Sequence, residues 1–291
     1  MSALLALGPA GLVLLVAVVV SLLFTRVEAG ATGLARAARW TTGWRLAGVA
    51  CGSVAAAVSA NGPASWLGMG QALAAPAFTL CLLAGVLVGE ASIARESGPT
   101  RTALIEVRAV RDYLPPVLTR WLIALTGALA VLLVGAGLLG GADDLGRAGR
   151  TLTLDCGGGV ATSSGPWPGT FYGLPIAAAV LAGLVAAALV LGRIVGRPRL
   201  GADQAGRAED DRLRRQSSRA VVAACGILVA VPLTGSAVFA SAVLVAADCG
   251  PGWLGFAGWV AAGLGLVSLV SAGAFGAALL PTVRQAESVP R

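Results

Sequence analysis

The sequence predicts an all-α, polytopic membrane protein, in which a bundle of about seven transmembrane helices forms a single integral membrane domain over residues 1–291. Two observations predict this fold class. Hydrophobic residues make up 57% of the chain and charged residues only 12%, whereas about 25% of the residues in an average soluble domain are charged. The apolar residues are also gathered into stretches close to the roughly 20 residues that are needed to cross the hydrocarbon of a bilayer.

Seven such stretches have the length and composition of a membrane span. They cover residues 3–24, 44–60, 66–89, 121–140, 172–192, 220–246 and 255–280. The second is the shortest and is rich in Ala and Gly. The first lacks a basic start and has a longer apolar region than a signal peptide, so we interpret it as an uncleaved anchor.

The positions of the arginines predict the orientation, because cytoplasmic segments next to spans collect basic residues. With seven spans, 19 of the 21 arginines lie on one side, and Arg147 and Arg150 lie on the other. This distribution predicts an N-terminus outside and a C-terminus inside. The lipid bilayer accounts for the basic segments, and we predict no nucleic-acid partner, since no nucleic-acid-binding motif accompanies them.

The pattern Asp-Cys-Gly-x-Gly occurs twice, at residues 155–159 and 248–252. The two copies fall in the predicted outer loops 141–171 and 247–254. Because disulfides persist outside the cytosol, we predict a disulfide between Cys156 and Cys249; two separate outer thiols are the alternative. Aromatic residues that follow each copy have the composition of interfacial anchors: Trp167, Phe171, Tyr172, Trp253, Phe256 and Trp259.

Each copy of the motif also follows an arginine-rich segment and a span, and a second span follows it. This order indicates two helical hairpins of the same orientation, spans four–five and six–seven, related as in parallel-repeat transporters. Convergence on a common loop chemistry is the alternative. Small residues on spans four and seven, Gly127 and Gly135 in one and Gly258 and Gly265 in the other, indicate faces for close helix packing or for a homo-oligomer.

The inner segments 100–116 and 207–219 are rich in charged residues. Apolar residues at helical spacing predict an amphipathic helix over 100–116 at the inner membrane surface, ended by Pro115 and Pro116. A docking element for a cytoplasmic or membrane subunit is one interpretation, and a lipid-facing connector is the other. The candidate docking residues are Arg101, Arg108, Arg111, Asp112, Tyr113, Arg212, Arg214 and Arg215.

Reactive groups are scarce in this chain, which contains neither His nor Lys. Retinal linkage through a lysine, haem ligation by His and a Ser-His-Asp triad are therefore excluded. We predict no catalytic residue, no metal site and no cofactor. Asp210 and Asp211 are a weak candidate for a Mg²⁺ site that holds a lipid diphosphate, because a second aspartate-rich cluster is missing.

Polar residues within the predicted spans lie near Pro76 and Pro232. These prolines free backbone carbonyls that could line a small cavity, although a simple packing kink is the alternative. The candidate intramembrane polar residues are Gln71, Thr79, Thr234 and Ser236.

The stretch "TRTALIEVRAVRDYLPPVLTR", together with the use of Arg in place of Lys and the Ala- and Gly-rich spans, resembles uncharacterised multi-pass membrane proteins of high-GC Gram-positive bacteria. The resemblance implies a plasma-membrane location and brings no catalytic residue or substrate. We consider three functions. The first is a non-catalytic, transport-related component that docks a cytoplasmic partner. The second is a sensor or envelope accessory protein whose disulfide-tied outer loops meet an external ligand. The third is a lipid-modifying membrane enzyme.

Overall fold

The computed structural model describes residues 33–63, 67–92, 109–157, 161–196, 204–247 and 249–279. These residues form six α-helices and a small sheet. The helices are α1 Gly33–Ala60, α2 Met69–Ala91, α3 Pro116–Leu139, α4 Thr170–Gly196, α5 Gln204–Val245 and α6 Trp253–Leu279. The sheet lies between α3 and α4 in the chain. We call the end of the bundle that carries it the sheet end, and the opposite end, where α4 finishes and α5 begins, the arginine end.

Five of these helices, α2 to α6, are long and apolar enough to cross a membrane, which is compatible with an integral membrane protein. They correspond to the third to seventh predicted spans, although α5 begins 16 residues before the predicted start at residue 220. The predicted span 3–24 lies outside the described residues. The predicted span 44–60 is helical within α1, but α1 is not among the five; Arg39 and Arg45 interrupt its apolar sequence.

Helix α5 lies at the centre of the bundle. It contacts each of the other five helices, and 72% of its most apolar window is buried, against 22–44% for the other four apolar helices. Its 42 residues extend about 63 Å at 1.5 Å per residue, roughly twice the 30 Å of a hydrocarbon layer. The first part of α5 therefore extends beyond the apolar zone at the arginine end.

The outward faces of α3, α4 and α6 are apolar. Long apolar side chains that are more than 60% exposed occur along all three helices: Val117, Ile123, Val131, Val134, Leu138, Leu174, Leu181, Leu189, Phe256, Trp259, Leu266 and Val270. A contiguous apolar exterior of this extent is costly in water and marks a membrane or protein contact. Since it surrounds a helical bundle, it is the surface expected to face lipid.

The sheet is antiparallel, with strand order β1 (Gly140–Gly141), β2 (Thr151–Asp155) and β3 (Ala161–Ser164). Leu152 on β2 pairs with Ser164 on β3. Leu152 also belongs to a buried cluster with Ala136 of α3, Ala240 of α5 and Leu254 of α6. The sequence predicted only a loop here, because strands of two to five residues with several glycines leave little periodicity. The sheet covers one end of the helical core.

The two predicted hairpins have different arrangements. Helices α5 and α6 contact each other extensively, whereas α3 and α4 each make more contacts with α5 than with each other. The small residues also differ. A Cβ on Gly258 of α6 would lie 2.7 Å from Val245 Cγ2 on α5, while Gly127 and Gly135 of α3 have no neighbour within 4 Å in the described part of the chain. Among the described residues, the predicted small-residue face of α6 packs closely against α5, whereas that of α3 meets no neighbouring helix. The hairpin repeat stays a prediction.

Candidate functional site

A cavity of about 390 Å³ lies at the sheet end. It is lined by the start of α2, the connections of the sheet, the start of α4 and the second half of α5. Aromatic and apolar side chains such as Trp167, Tyr172, Ile176 and Phe239 form much of its wall. Its volume lies in the lower part of the roughly 300–1,000 Å³ found for small-molecule sites in proteins.

The four predicted intramembrane polar residues divide into two pairs. Gln71 and Ser236, from α2 and α5, both line the cavity. Thr79 Oγ1 donates to the carbonyl of Ala224 at 3.4 Å, and Thr234 Oγ1 donates to the carbonyl of Ala230 at 2.9 Å. Two of the predicted residues therefore meet at a cavity, while the other two satisfy carbonyls of α5.

The segment around Pro232 forms the α5 wall. Proline has no N–H to donate to the carbonyl four residues earlier, that of Leu228. Gly235, one turn further on, has no heavy atom of the described residues within 4 Å of the place where a Cβ would be. The missing side chain leaves open space on the cavity side of α5.

Arg150 enters the cavity wall from the chain between β1 and β2. Gly149 before it has φ +73°, and a Cβ there would collide with Thr170 at the start of α4. The carbonyl of Arg150 accepts a hydrogen bond from the backbone N–H of Trp167 at 2.8 Å. The backbone on both sides of Arg150 is thus held against the beginning of α4.

A buried carboxylate anchors the guanidinium of Arg150. Asp143 Oδ2 accepts from Arg150 Nη1 at 2.8 Å and from Arg147 Nε at 2.7 Å, and the Asp143 side chain is only 2% exposed. Burial alone would raise the pKa of Asp143, but hydrogen bonds from Arg150, from Arg147 and from the Leu145 amide outweigh it and hold this pKa well below its usual range. One carboxylate thus faces two guanidinium groups, which leaves a net charge of +1 in this trio.

The described residues engage only part of the Arg150 side chain. Its Nε is buried and has no hydrogen-bond partner among the described residues. The guanidinium carbon lies 6.0 Å from the centre of the Phe171 ring. Among the described residues that line the cavity, Arg150 carries the one formal charge. The cavity therefore has a cationic wall next to an apolar one.

The start of α2 adds a second source of positive potential. Leu67 has φ +52° and Gly68 has φ +84°, and a positive φ is uncommon for a residue as large as Leu. The Leu67 carbonyl accepts a hydrogen bond from the Tyr172 hydroxyl at 2.6 Å. No side chain caps α2, and its N-cap residue Gly68 lines the cavity, so the positive dipole end of this helix lies at the cavity wall.

A disulfide ties the loops of the sheet end together. Cys156, which follows β2, is joined to Cys249, which precedes α6, with their Cα atoms 5.3 Å apart. This is the pair that the sequence predicted. Thr162 Oγ1 on β3 lies 3.5 Å from both sulfur atoms. The covalent link connects the sheet, which contributes to the cavity, to the turn between α5 and α6.

The predicted docking residues lie at the arginine end, except Arg101 and Arg108, which are outside the described residues. The predicted helix over 100–116 is described only from residue 109, where Val110–Asp112 forms a 3-10 turn. Arg111 and Asp112 in this turn are exposed and 3.8 Å apart. Tyr113 donates to Asp211 Oδ1 at 3.3 Å, which places the turn beside α5. Two further candidates, Arg212 and Arg215, are exposed.

Arg214 corrects the docking expectation because it is completely buried. Its Nε donates to Asp210 Oδ2 at 2.8 Å, and its Nη1 donates to the carbonyls of Ile194 and Val195 at 2.6 and 2.9 Å. These carbonyls belong to the last turn of α4, where no intrahelical donor is available. Arg214 therefore joins α4 to α5 and presents no surface to a partner.

The described residues also contain no group of three or more acidic, Cys or His side chains arranged to hold a metal.

Sequence reasoning missed Arg150, Trp167 and Tyr172 as site residues. Trp167 was interpreted as an interfacial anchor, but it is 2% exposed and its Nε1 donates to the carbonyl of Ala136 in the last turn of α3. Trp253, Phe256 and Trp259 are exposed, as anchors should be. The one available signal for Arg150 was its position, since the predicted topology separates Arg147 and Arg150 from the other 19 arginines.

Comparison with known proteins identifies no relative. No protein family, no curated protein and no solved structure matches the chain.

Proposed function

We propose that this chain is a non-catalytic integral protein of the plasma membrane that binds a small ligand at its sheet end, as a sensor or an envelope accessory protein does. The observation that carries the proposal is the meeting of Gln71, Arg150 and Ser236 at one cavity, next to loops that the Cys156–Cys249 disulfide ties together. A concave apolar site with a few convergent polar groups is the usual form of a ligand site.

The proposed orientation puts the sheet end outside the cell. The unequal division of arginines supports it, since basic segments stay in the cytoplasm. The disulfide supports it independently, because such bonds persist in oxidising compartments. A ligand would then enter from the external solution or from the outer leaflet.

The polar groups at the cavity suit binding better than chemistry. The guanidinium of Arg150 stays protonated at all ordinary pH values, so it donates hydrogen bonds and does not exchange protons. Gln71 and Ser236 are neutral donors and acceptors. Asp210 and Asp211, the residues of the alternative enzyme hypothesis, lie at the opposite end and already bind Arg214 and Tyr113.

Thiol labelling in intact cells tests the proposal. In a background with the exposed Cys51 changed to Ser, Ala72→Cys puts a thiol on the cavity wall. A membrane-impermeant maleimide should label it from outside without reduction. Ala84→Cys, on an exposed and apolar part of the same helix, is the matched control and should stay unlabelled, because a lipid-facing thiol does not ionise.

Arg215→Cys at the exposed part of the arginine end completes the set. It should be labelled only after the cells are permeabilised. Labelling of Arg215→Cys in intact cells, or failure to label Ala72→Cys there, would contradict the proposed orientation and the access of a ligand to the cavity.

A transport-related component that docks a cytoplasmic subunit is the second candidate function. The Tyr113–Asp211 hydrogen bond favours it, because this bond brings the turn with the exposed Arg111 beside the part of α5 that carries the exposed Arg212 and Arg215. A basic surface of this kind suits an acidic partner.

Crosslinking in native membranes tests the docking candidate. One protein should be crosslinked to the wild type and lost when Arg111, Arg212 and Arg215 are all changed to Ala. Arg193→Ala, an exposed arginine at the end of α4, is the control and should keep it. If the triple variant keeps every crosslinked protein, the docking candidate is wrong.

A further inference from the structure

We propose that the cavity at the sheet end binds a small amphipathic monoanion, with its carboxylate or phosphate head at Arg150 and its short apolar body between α4 and α5. This inference rests on the proposed function and names the ligand class of the same cavity. It follows from the charge, the hydrogen-bond donors and the shape of the wall.

The charge of the wall favours a single negative charge. Asp143 neutralises one of the two guanidinium groups that contact it, so one positive charge remains. The described lining residues carry no carboxylate that would repel an anion. The positive charge of the wall would repel a cation. A neutral ligand would leave that charge without a counterion.

The donors available at the wall suit an oxyanion. Arg150 lines the cavity, and the bond to Asp143 uses its Nη1. Its Nε is buried without a hydrogen-bond partner among the described residues, and a buried donor without an acceptor is unfavourable. A guanidinium presents parallel N–H groups that match the two oxygens of a carboxylate or phosphate. Gly68, which lines the same cavity, stands at the uncapped start of α2, and helix starts bind anions through their free amides.

The rest of the wall suits an apolar body. Ile176, Val231 and Phe239 line the part supplied by α4 and α5, and Gly235 leaves room beside them. The ligand head would thus lie near the sheet and the body would point toward the middle of the bundle. This direction is also that of a lipid in the outer leaflet, so the same chemistry has two sources, a free amphipathic acid or the headgroup of an anionic phospholipid.

Protection of Ala72→Cys from labelling distinguishes these ligands. The full chain, with its disulfide intact, is placed in nanodiscs of phosphatidylcholine, and the rate of maleimide labelling is measured with octanoate, octanol or octylammonium. Octanoate should protect at a concentration at least about tenfold below that of octanol, the factor expected for one hydrogen bond between charged groups. Octylammonium should not protect.

Two variants test the residues. Arg150→Gln should abolish the difference between octanoate and octanol. Because this change also removes a partner of Asp143, a second variant leaves the charge cluster intact: Gly235→Leu fills the cavity, and protection by octanoate should be lost. Gly192→Leu, at an equally open glycine on α4 outside the cavity, is its control and should retain protection.

The source of the ligand is tested by adding phosphatidylglycerol to the nanodiscs. In these discs, slower labelling of Ala72→Cys with Arg150 intact than with Arg150→Gln supports a lipid headgroup. Protection by octanoate alone supports a free acid.

Equal protection by octanol, or protection by octylammonium, overturns the inference. Labelling of Ala72→Cys from outside cells without protection by either anion overturns the ligand class alone, while failure of outside labelling overturns the proposed function as well.

Discussion

The hydroxyl of Tyr172 donates a hydrogen bond to the carbonyl of Leu67 at 2.6 Å and so joins the start of α4 to the start of α2. The two residues are 105 positions apart in the chain. Both line the cavity, and Leu67 is held in the left-handed region of φ. This contact therefore closes one side of the cavity.

Tyr172→Phe should lower the free energy of unfolding by about 1 kcal/mol, the usual net contribution of one hydrogen bond. The ring and its edge-to-face contact with Phe171 are kept. Thermal unfolding in detergent measures the effect, and labelling of Ala72→Cys should become faster as the wall loosens. Tyr113→Phe, which removes a weaker contact at the other end, should leave that labelling rate unchanged; an equal increase in both variants would count against a local role.

Arg214→Met should lower the free energy of unfolding by about 3–5 kcal/mol, because it removes the guanidinium that the buried carboxylate of Asp210 contacts at 2.8 Å. The last carbonyls of α4 also lose their donor. Reversible unfolding in a mixed detergent series measures this loss. Arg215→Met, at the exposed neighbouring position, should change stability by no more than about 0.5 kcal/mol. Equal effects of the two variants would show that the burial of Arg214 does not matter.

The contribution of Asp143 to the free energy of unfolding should depend on pH. Its pKa is lower in the folded state than in the unfolded state, so its contribution to stability is present above the unfolded value of about 3.9. The contribution is lost as the pH falls from there toward the folded pKa, since the unfolded state binds the proton first. Asp143→Asn should therefore be less stable than the wild type at pH 7, and the difference should shrink in acid.

Unfolding curves at neutral and acidic pH measure this difference, with Asp144→Asn as the control. Asp144 is the exposed neighbour, and its variant should follow the wild-type curve. A gap between the wild type and Asp143→Asn that stays constant down to the most acidic pH would contradict the ion-pair assignment.

The disulfide should stabilise the sheet end. It links residues 93 positions apart, and the loss of a native disulfide costs about 2–5 kcal/mol. Cys156→Ser, Cys249→Ser and the double variant should lose the same stability, because each removes the same bond, and each should lose the mobility shift between reduced and non-reduced gels. Cys51→Ser should change neither property. A larger effect in the double variant than in either single variant would mean that the two thiols act separately.

The sequence alone determined that the chain forms apolar helices. It also indicated which two cysteines pair, because both fall in predicted outer loops and disulfides persist outside the cytosol. Both properties are local: the length of an uncharged stretch decides whether it can span the hydrocarbon, and the side on which a loop lies decides whether its thiols can oxidise. Gln71 and Ser236 were likewise found as polar residues in apolar segments. Their meeting at one cavity was not determined by any local pattern.

The tertiary structure decided what the arginines do. Arg214 and Arg215 are adjacent and have the same side chain, yet one is buried against α4 and the other is exposed. Arg150 became part of a cavity wall because Gly149, Trp167 and Asp143 position it. A guanidinium bonds to whatever carboxylate or free carbonyl lies within about 3 Å, and partners from distant parts of the chain reach that distance only when the helices have packed.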